Sequence, residues 1–269
     1  MSSCRPWAST TIALTPFTKA HGARNDFLLT WRDQAPECDW DEFARAICDR
    51  YTGVGADGWM VVDETSSIEL YNSDGSKPEL SGNGTRCAAA FLIEHGKASE
   101  NLTIQTGAGP KHLRLLRKEG PEYWFQMNMG AVVFAGTIVV EGYEAQVVNV
   151  GNPQCVVIVG DFEFDWRGMG KQIEHDPRFP NRTNVSFIRP AGPSEIEVRC
   201  WERGAGETNS SGTGSTGAFA VAVQRGIVPR QGRVLTPAGP LDVEWRETIL
   251  LTGPAEIVAE GTYRHEKMR

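Results

Sequence analysis

Two segments of this chain begin alike and lie 130 positions apart. The first runs Ser81-Gly82-Asn83-Gly84-Thr85-Arg86 into Cys87-Ala88-Ala89-Ala90. The second runs Ser211-Gly212-Thr213-Gly214-Ser215-Thr216 into Gly217-Ala218-Phe219-Ala220. Each has a small polar residue, a Gly-x-Gly turn and small residues suited to the start of a buried helix. Other polar landmarks repeat near the same offset. Asn25 answers Asn152 and Asp57 answers Asn184 at 127 positions, and Asn72 answers Glu202 at 130. Asn and Gly are common in turns, but landmarks in one order at one offset point to duplication. The chain therefore reads as two copies of one unit. We expect a first unit over 1–130 and a second over 131–256, with the last strand, about 257–269, packing on the first.

Within each unit the pattern is strand, helix, several strands, then a buried helix. Phe43, Ala44, Ala46, Ile47 and Tyr51 give Asp39–Tyr51 an amphipathic helical period. Cys87–Glu94 and Ser215–Gln224 are short and apolar enough for sheet to wrap them on all sides. Strands are expected at 102–106, 113–116, 123–128, 137–140, 145–150, 156–159, 241–245, 248–252 and 256–260. Many strands around few helices indicate an α+β fold with a ligand cleft between the halves.

The net charge of −7 and pI near 5.4 favour neither nucleic acid nor an anionic membrane as partner. No apolar run approaches the ~20 residues that span a bilayer. The first nine or so residues read as a loose extension without a secretory apolar core. Six scattered cysteines, with no CxxC pair, argue against a zinc site or disulfide scaffold. A reducing cytoplasm fits this usage.

A Gly-x-Gly turn opening a helix offers free N–H groups and the positive end of the dipole to an anion, phosphate or carboxylate. Neither loop has the lysine of a P-loop, and the dinucleotide fingerprint is absent. The other landmarks are the amides Asn25, Asn72, Asn83, Asn152 and Asn184, with Glu202 and Arg203 beside each other. Arginine holds a carboxylate bidentately, glutamate an ammonium, and asparagine either. The set suits a zwitterion such as an amino acid. Each asparagine taken alone equally suits a turn or helix cap.

The segments Phe17–Phe27, Gly53–Gly58, Asn72–Ser76, Gly82–Cys87, Gly151–Val156 and Phe179–Val185 carry a resemblance. So do Glu202–Thr208 running into Gly212–Gly214, Thr236–Gly239 and Thr252–Ala255. From about Thr11 onward the chain resembles the diaminopimelate epimerase family. The resemblance implies two pseudo-symmetric domains, each a sheet wrapped around a central helix, with the active site between them. It implies cofactor-free epimerisation of LL- to meso-diaminopimelate, one residue taking the α-proton while its opposite number delivers one. Substrate contacts carried over by motif are Asn25, Asn72, Gly82, Asn83, Asn152, Asn184, Glu202, Arg203, Gly212 and Thr213. It implies no metal, pyridoxal phosphate or nucleotide, and a homodimer.

The chain departs from the family where the chemistry is implied. The family's two catalytic cysteines fall at Ser81 and Ser211, and a family histidine after Gly-Asn-Pro is Gln154. Arg24 stands for a family glycine. A thiol's reference pKa is about 8.5, whereas a hydroxyl needs another group to take its proton. Ser81 and Ser211 are thus read either as helix caps or as a weakened acid–base pair with Glu202 as proton-network or ammonium partner. Three functions stay open: a diaminopimelate epimerase, an isomerase acting on a more acidic carbon, and a binding protein without catalysis.

Overall fold

The computed structural model describes residues 12–266. The expected N-terminal extension lies outside them. In the first half, β1 (Ile12–Gly22) and β2 (Asn25–Trp31) precede α1 (Trp40–Cys48). Then come β3 (Gly58–Val62), β4 (Ile68–Asn72), α2 (Gly82–Glu94), β5 (Asn101–Thr106), β6 (Gly109–Glu119) and β7 (Glu122–Gly130). The second half repeats the order with β8 (Val133–Val140), β9 (Tyr143–Asn149), β10 (Pro153–Ile158) and α3 (Trp166–Glu174). It continues through β11 (Asn184–Gly192), β12 (Glu195–Glu202), the short β13 (Gly206–Thr208) and α4 (Gly212–Gln224). It ends on β14 (Gln231–Thr236), β15 (Gly239–Trp245) and β16 (Ile249–Glu266). The duplication extends to the pairing, because β2 runs parallel to β3 as β10 runs parallel to β11.

Around α2 the strands follow the order β4-β3-β2-β1-β16-β7-β6-β5, and a Ser67–Gln105 bridge joins the two ends. Around α4 the order is β8-β9-β10-β11-β12-β14-β15-β16. The architecture is α+β, each half wrapping sheet around one helix. Gly82–Leu92 and Gly212–Ala222 are buried throughout. Such helices need small or apolar residues on every face, which the alanine, glycine and threonine runs provide. Their apolar residues share one core with Phe27, Met60, Phe125, Val198 and Leu251.

Four details differ from expectation. Helix α1 is capped by Asp39 but stops at Cys48, because Asp49 Oδ1 accepts the N–H groups of Tyr51 and Thr52. Helices α2 and α4 start earlier than expected, at Gly82 and Gly212, so the glycines form the first helical turn. Sterics explain them: a Cβ on Gly84 would lie 2.9 Å from Met60, and one on Gly214 3.0 Å from Ser211. Helix α3 had no expected range. Its two glycines hide the period, although a Cβ on Gly170 would strike the Trp201 ring at 2.9 Å.

The fourth concerns 248–252 and 256–260, which belong to the single strand β16. It pairs with β15 up to Thr252 and with β1 from Glu256. Pro254 lies between those two ladders, so its missing N–H leaves no bond unmade on that side. Its carbonyl accepts Arg86 Nε at 3.1 Å.

The two buried helices meet at their first residues. A Cβ on Gly212 would fall 3.0 Å from Gly82 Cα, and one on Gly82 3.1 Å from Gly212 Cα. Gly212→Ala is therefore expected to destabilise by about 1–3 kcal/mol through backbone overpacking, read as a lower thermal midpoint. Gly160→Ala, which points into open space, is the control and should stay near wild type.

Candidate active site

A cleft of about 420 Å³ opens above the point where α2 and α4 meet. From the first half it is lined by Asn25, Asp57, Asn72, Glu79 and Ser81, and from the second by Asn152, Asn184, Glu202 and Arg203. The sequence landmarks thus converge across 130 positions because matching strand ends and helix starts face each other. Gly82, Asn83, Ser211, Gly212 and Thr213 are buried beneath. Gly82 adjoins Ser81, while Asn83, Ser211 and Thr213 bond the lining residues Asn25, Glu202 and Asn152; Gly212 reaches the cleft floor only through Gly82.

The two serines are near copies. Ser81 has φ −122° and ψ 117°, and Ser211 has φ −125° and ψ 122°. Each Oγ accepts the N–H three residues on, Gly84 or Gly214, at 3.1 Å. Both are N-caps, as serine favours. The N–H groups of Gly82, Asn83, Gly212 and Thr213 remain as the free donors of the two helix ends.

Their partners differ. Ser211 Oγ donates to Glu202 Oε2 at 2.9 Å, and Thr208 Oγ1 donates to Glu202 Oε1 at 2.7 Å. Among the described residues nothing accepts the Ser81 hydroxyl proton. Burial raises the Glu202 pKa above the ordinary value, against the Thr208 and Ser211 hydrogen bonds, and the Asp57 charge adds to the rise. Burial also raises Asp57; the Asn25 hydrogen bond opposes this and the Asp26 charge adds to it.

The asparagines form a connected frame. Asn83 Nδ2 donates to Asn25 Oδ1 at 3.3 Å and to the Ser210 carbonyl at 3.0 Å. Asn25 Nδ2 donates to Asp57 Oδ2 at 2.7 Å. Asn152 Nδ2 and Gln154 Nε2 both donate to Thr213 Oγ1 at 3.2 Å. Asn184 Nδ2 donates to the Pro153 carbonyl at 2.9 Å, and its Oδ1 accepts the Arg203 N–H at 3.0 Å. Asn72 Nδ2 donates to Ser76 Oγ at 3.0 Å. Arg86, wholly buried, donates to Asn83 Oδ1 at 2.6 Å. Burial lowers its pKa to about 10, so it stays cationic at neutral pH beneath the α2 N-terminus.

The family model described as diaminopimelate epimerase matches residues 17–135 and 146–258. The chain belongs to the diaminopimelate epimerase family. It is 37% identical to a diaminopimelate epimerase of Pelotomaculum thermopropionicum over 92% of this chain and 98% of that one. It is likewise 37% identical to one from Microcystis aeruginosa, over 92% and 98%. Among solved structures, a hydroxyproline epimerase from Agrobacterium vitis superposes with a TM-score of 0.74 at 13% identity, covering 94% of this chain and 93% of that one.

Within this family member, sequence reasoning left out two site features. Asp57 appeared only as a repeat landmark, yet its carboxylate lines the cleft. Glu79 carried no signal, because its partner Arg203 is 124 positions away. Among the described residues no cysteine lines the cleft. Burial pushes Cys48, Cys87, Cys155 and Cys200 up to about 12. Among the described residues no helix is long and apolar enough to cross a membrane.

Proposed function

We propose that this protein epimerises LL-diaminopimelate to meso-diaminopimelate without a cofactor, a step in lysine and cell-wall precursor synthesis. The observation that carries the reading is the matched pair of capping serines on abutting helices below one cleft, with Glu202 on one of them. The N–H groups of Gly82, Asn83, Gly212 and Thr213 would hold the carboxylate next to the reacting carbon. Arg203 would hold the far carboxylate, and Asn25, Asn72, Asn152 and Asn184 would grip and orient the unreactive end.

The proton balance follows from the hydrogen bonds. Ser211 Oγ takes the α-proton while its own proton passes to the Glu202 carboxylate. Ser81 Oγ–H delivers a proton to the opposite face and is reprotonated from the cleft, to which Glu202 gives up the proton it received, so the turnover consumes no net proton. We take 1–130 and 131–256 as the two working units, with the C-terminal strand lent to the first, and a homodimer in the cytoplasm as the assembly.

One observation favours a second reading, a family member that binds diaminopimelate and turns over weakly or not at all. Among the described residues no basic group accepts from the Ser81 hydroxyl, so only one face has an evident proton acceptor. Proton NMR of LL-diaminopimelate in D2O separates the two. Loss of the α-proton signal supports the epimerase, whereas calorimetric binding without exchange supports the binding protein. An absence of binding removes both. Arg203→Ala should cut exchange at low substrate by about 30-fold or more, the usual result of truncating one half of a desolvated charge pair. An unchanged rate would count against the site as drawn.

A further inference from the structure

Arg203 already holds a carboxylate. Its Nη2 donates to Glu79 Oε2 at 2.6 Å, and its Nη1 donates to the Asn181 carbonyl at 3.1 Å. Its own N–H is tied to Asn184. Glu79 comes from the segment 73–80 between β4 and α2, two positions before Ser81. Among the described residues this is the one ion pair that joins a residue before 131 to one between 131 and 255. The same segment touches the opposite half again at Gly204, where a Cβ would lie 3.0 Å from Asp74 Oδ2.

The two partners are not equally held. The Arg203 side chain is 17% exposed and fixed by Asn181 as well, while the Glu79 side chain is 46% exposed. Glu79 is thus the partner that can leave. A ligand that brings its own carboxylate replaces it like for like, and the guanidinium keeps its charge-assisted bonds. A ligand ending in an ammonium or a neutral group offers no such exchange. Displacing Glu79 would then leave a part-buried arginine short of a partner, which is unfavourable.

We infer that Glu79 is a specificity-determining residue: it occupies Arg203 and yields to a ligand carrying a second carboxylate. The inference rests on the reading of Arg203 as the far-carboxylate anchor. Glu79 is tethered, so it competes at a high effective concentration, and removing it should tighten dicarboxylate binding.

The test is titration calorimetry of wild type, Glu79→Gln, Glu79→Ala and Arg203→Ala with LL-diaminopimelate and with L-lysine, which lacks the far carboxylate. Both Glu79 variants should bind LL-diaminopimelate about threefold to fivefold tighter, the scale of one part-exposed ion pair. Their lysine affinity should equal that of wild type. Unchanged or weaker diaminopimelate binding, or equal tightening for lysine, would overturn the inference. Arg203→Ala separates the layers. If it leaves diaminopimelate binding untouched, the anchor reading itself is wrong. If it weakens binding while the Glu79 variants do not tighten it, the role of Glu79 alone is refuted.

Discussion

Replacing Ser81 and Ser211 together by cysteine is expected to raise α-proton exchange of LL-diaminopimelate by at least about 100-fold. Each pKa unit between base and task is worth about 1.4 kcal/mol, close to a factor of ten. A thiol starts near 8.5, and a helix N-terminus lowers it further. Both hydroxyls already occupy such ends, each 3.1 Å from a helix N–H. The two positions should not respond alike. At 211 the Glu202 carboxylate disfavours a thiolate but can accept a thiol proton. At 81 no carboxylate is bonded, so the thiolate should form there first. Alkylation of the double variant, with the native chain as the blank for Cys4 and Cys38, reads this, since burial pushes Cys48, Cys87, Cys155 and Cys200 up to about 12. Adding Gln154→His, which restores the histidine that the resemblance implies after Gly-Asn-Pro, should raise exchange again. Ser81→Ala and Ser211→Ala should each abolish whatever exchange the native chain has. A correctly folded double-cysteine protein with no exchange would mean that the cleft is not an epimerase site.

The duplication and the cleft between the halves were legible because they rest on short polar motifs repeated at a fixed spacing. Such motifs mark strand ends and helix starts, and these converge when two like units face each other. Helix boundaries were less legible. Gly82, Gly84, Gly212 and Gly214 look like turn residues, yet they stand in helices because backbone and side chains from the other elements leave no room for a Cβ. Pro254 falls in the gap between the strands expected at 248–252 and 256–260, yet it stands inside one strand, between two ladders. Arg24 has φ 60° in the hairpin between β1 and β2, the left-handed region where a glycine would be unstrained. Glu79 illustrates the remaining limit. Its meaning lies wholly in a partner from the other half, and no local pattern encodes that.

Glu202→Gln is the substitution expected to separate activity from stability. Activity should fall by about 100-fold or more, the usual contribution of a positioned general base, because glutamine cannot take the Ser211 proton. Stability should move the other way. Burial raises the Glu202 pKa in the folded state. A carboxyl raised on folding helps stability while it is protonated, below its unfolded value, and that help is lost as pH rises through the folded value. Above that folded value the wild type holds a charge in a poorly solvated place, with Asp57 adding repulsion. Glutamine removes the charge and can still bond the Thr208 and Ser211 hydroxyls. The variant should therefore melt higher than wild type at pH 8, by about 2–4 °C for each kcal/mol gained. The difference should shrink as pH falls towards 4, where the wild-type carboxyl is protonated too. Thermal midpoints across that range, alongside exchange rates, test both halves. A variant that melts lower at pH 8 would mean that the ionised carboxylate is stabilised in place, and Glu202 would then be a fixed anchor for an ammonium rather than the group that receives the serine's proton.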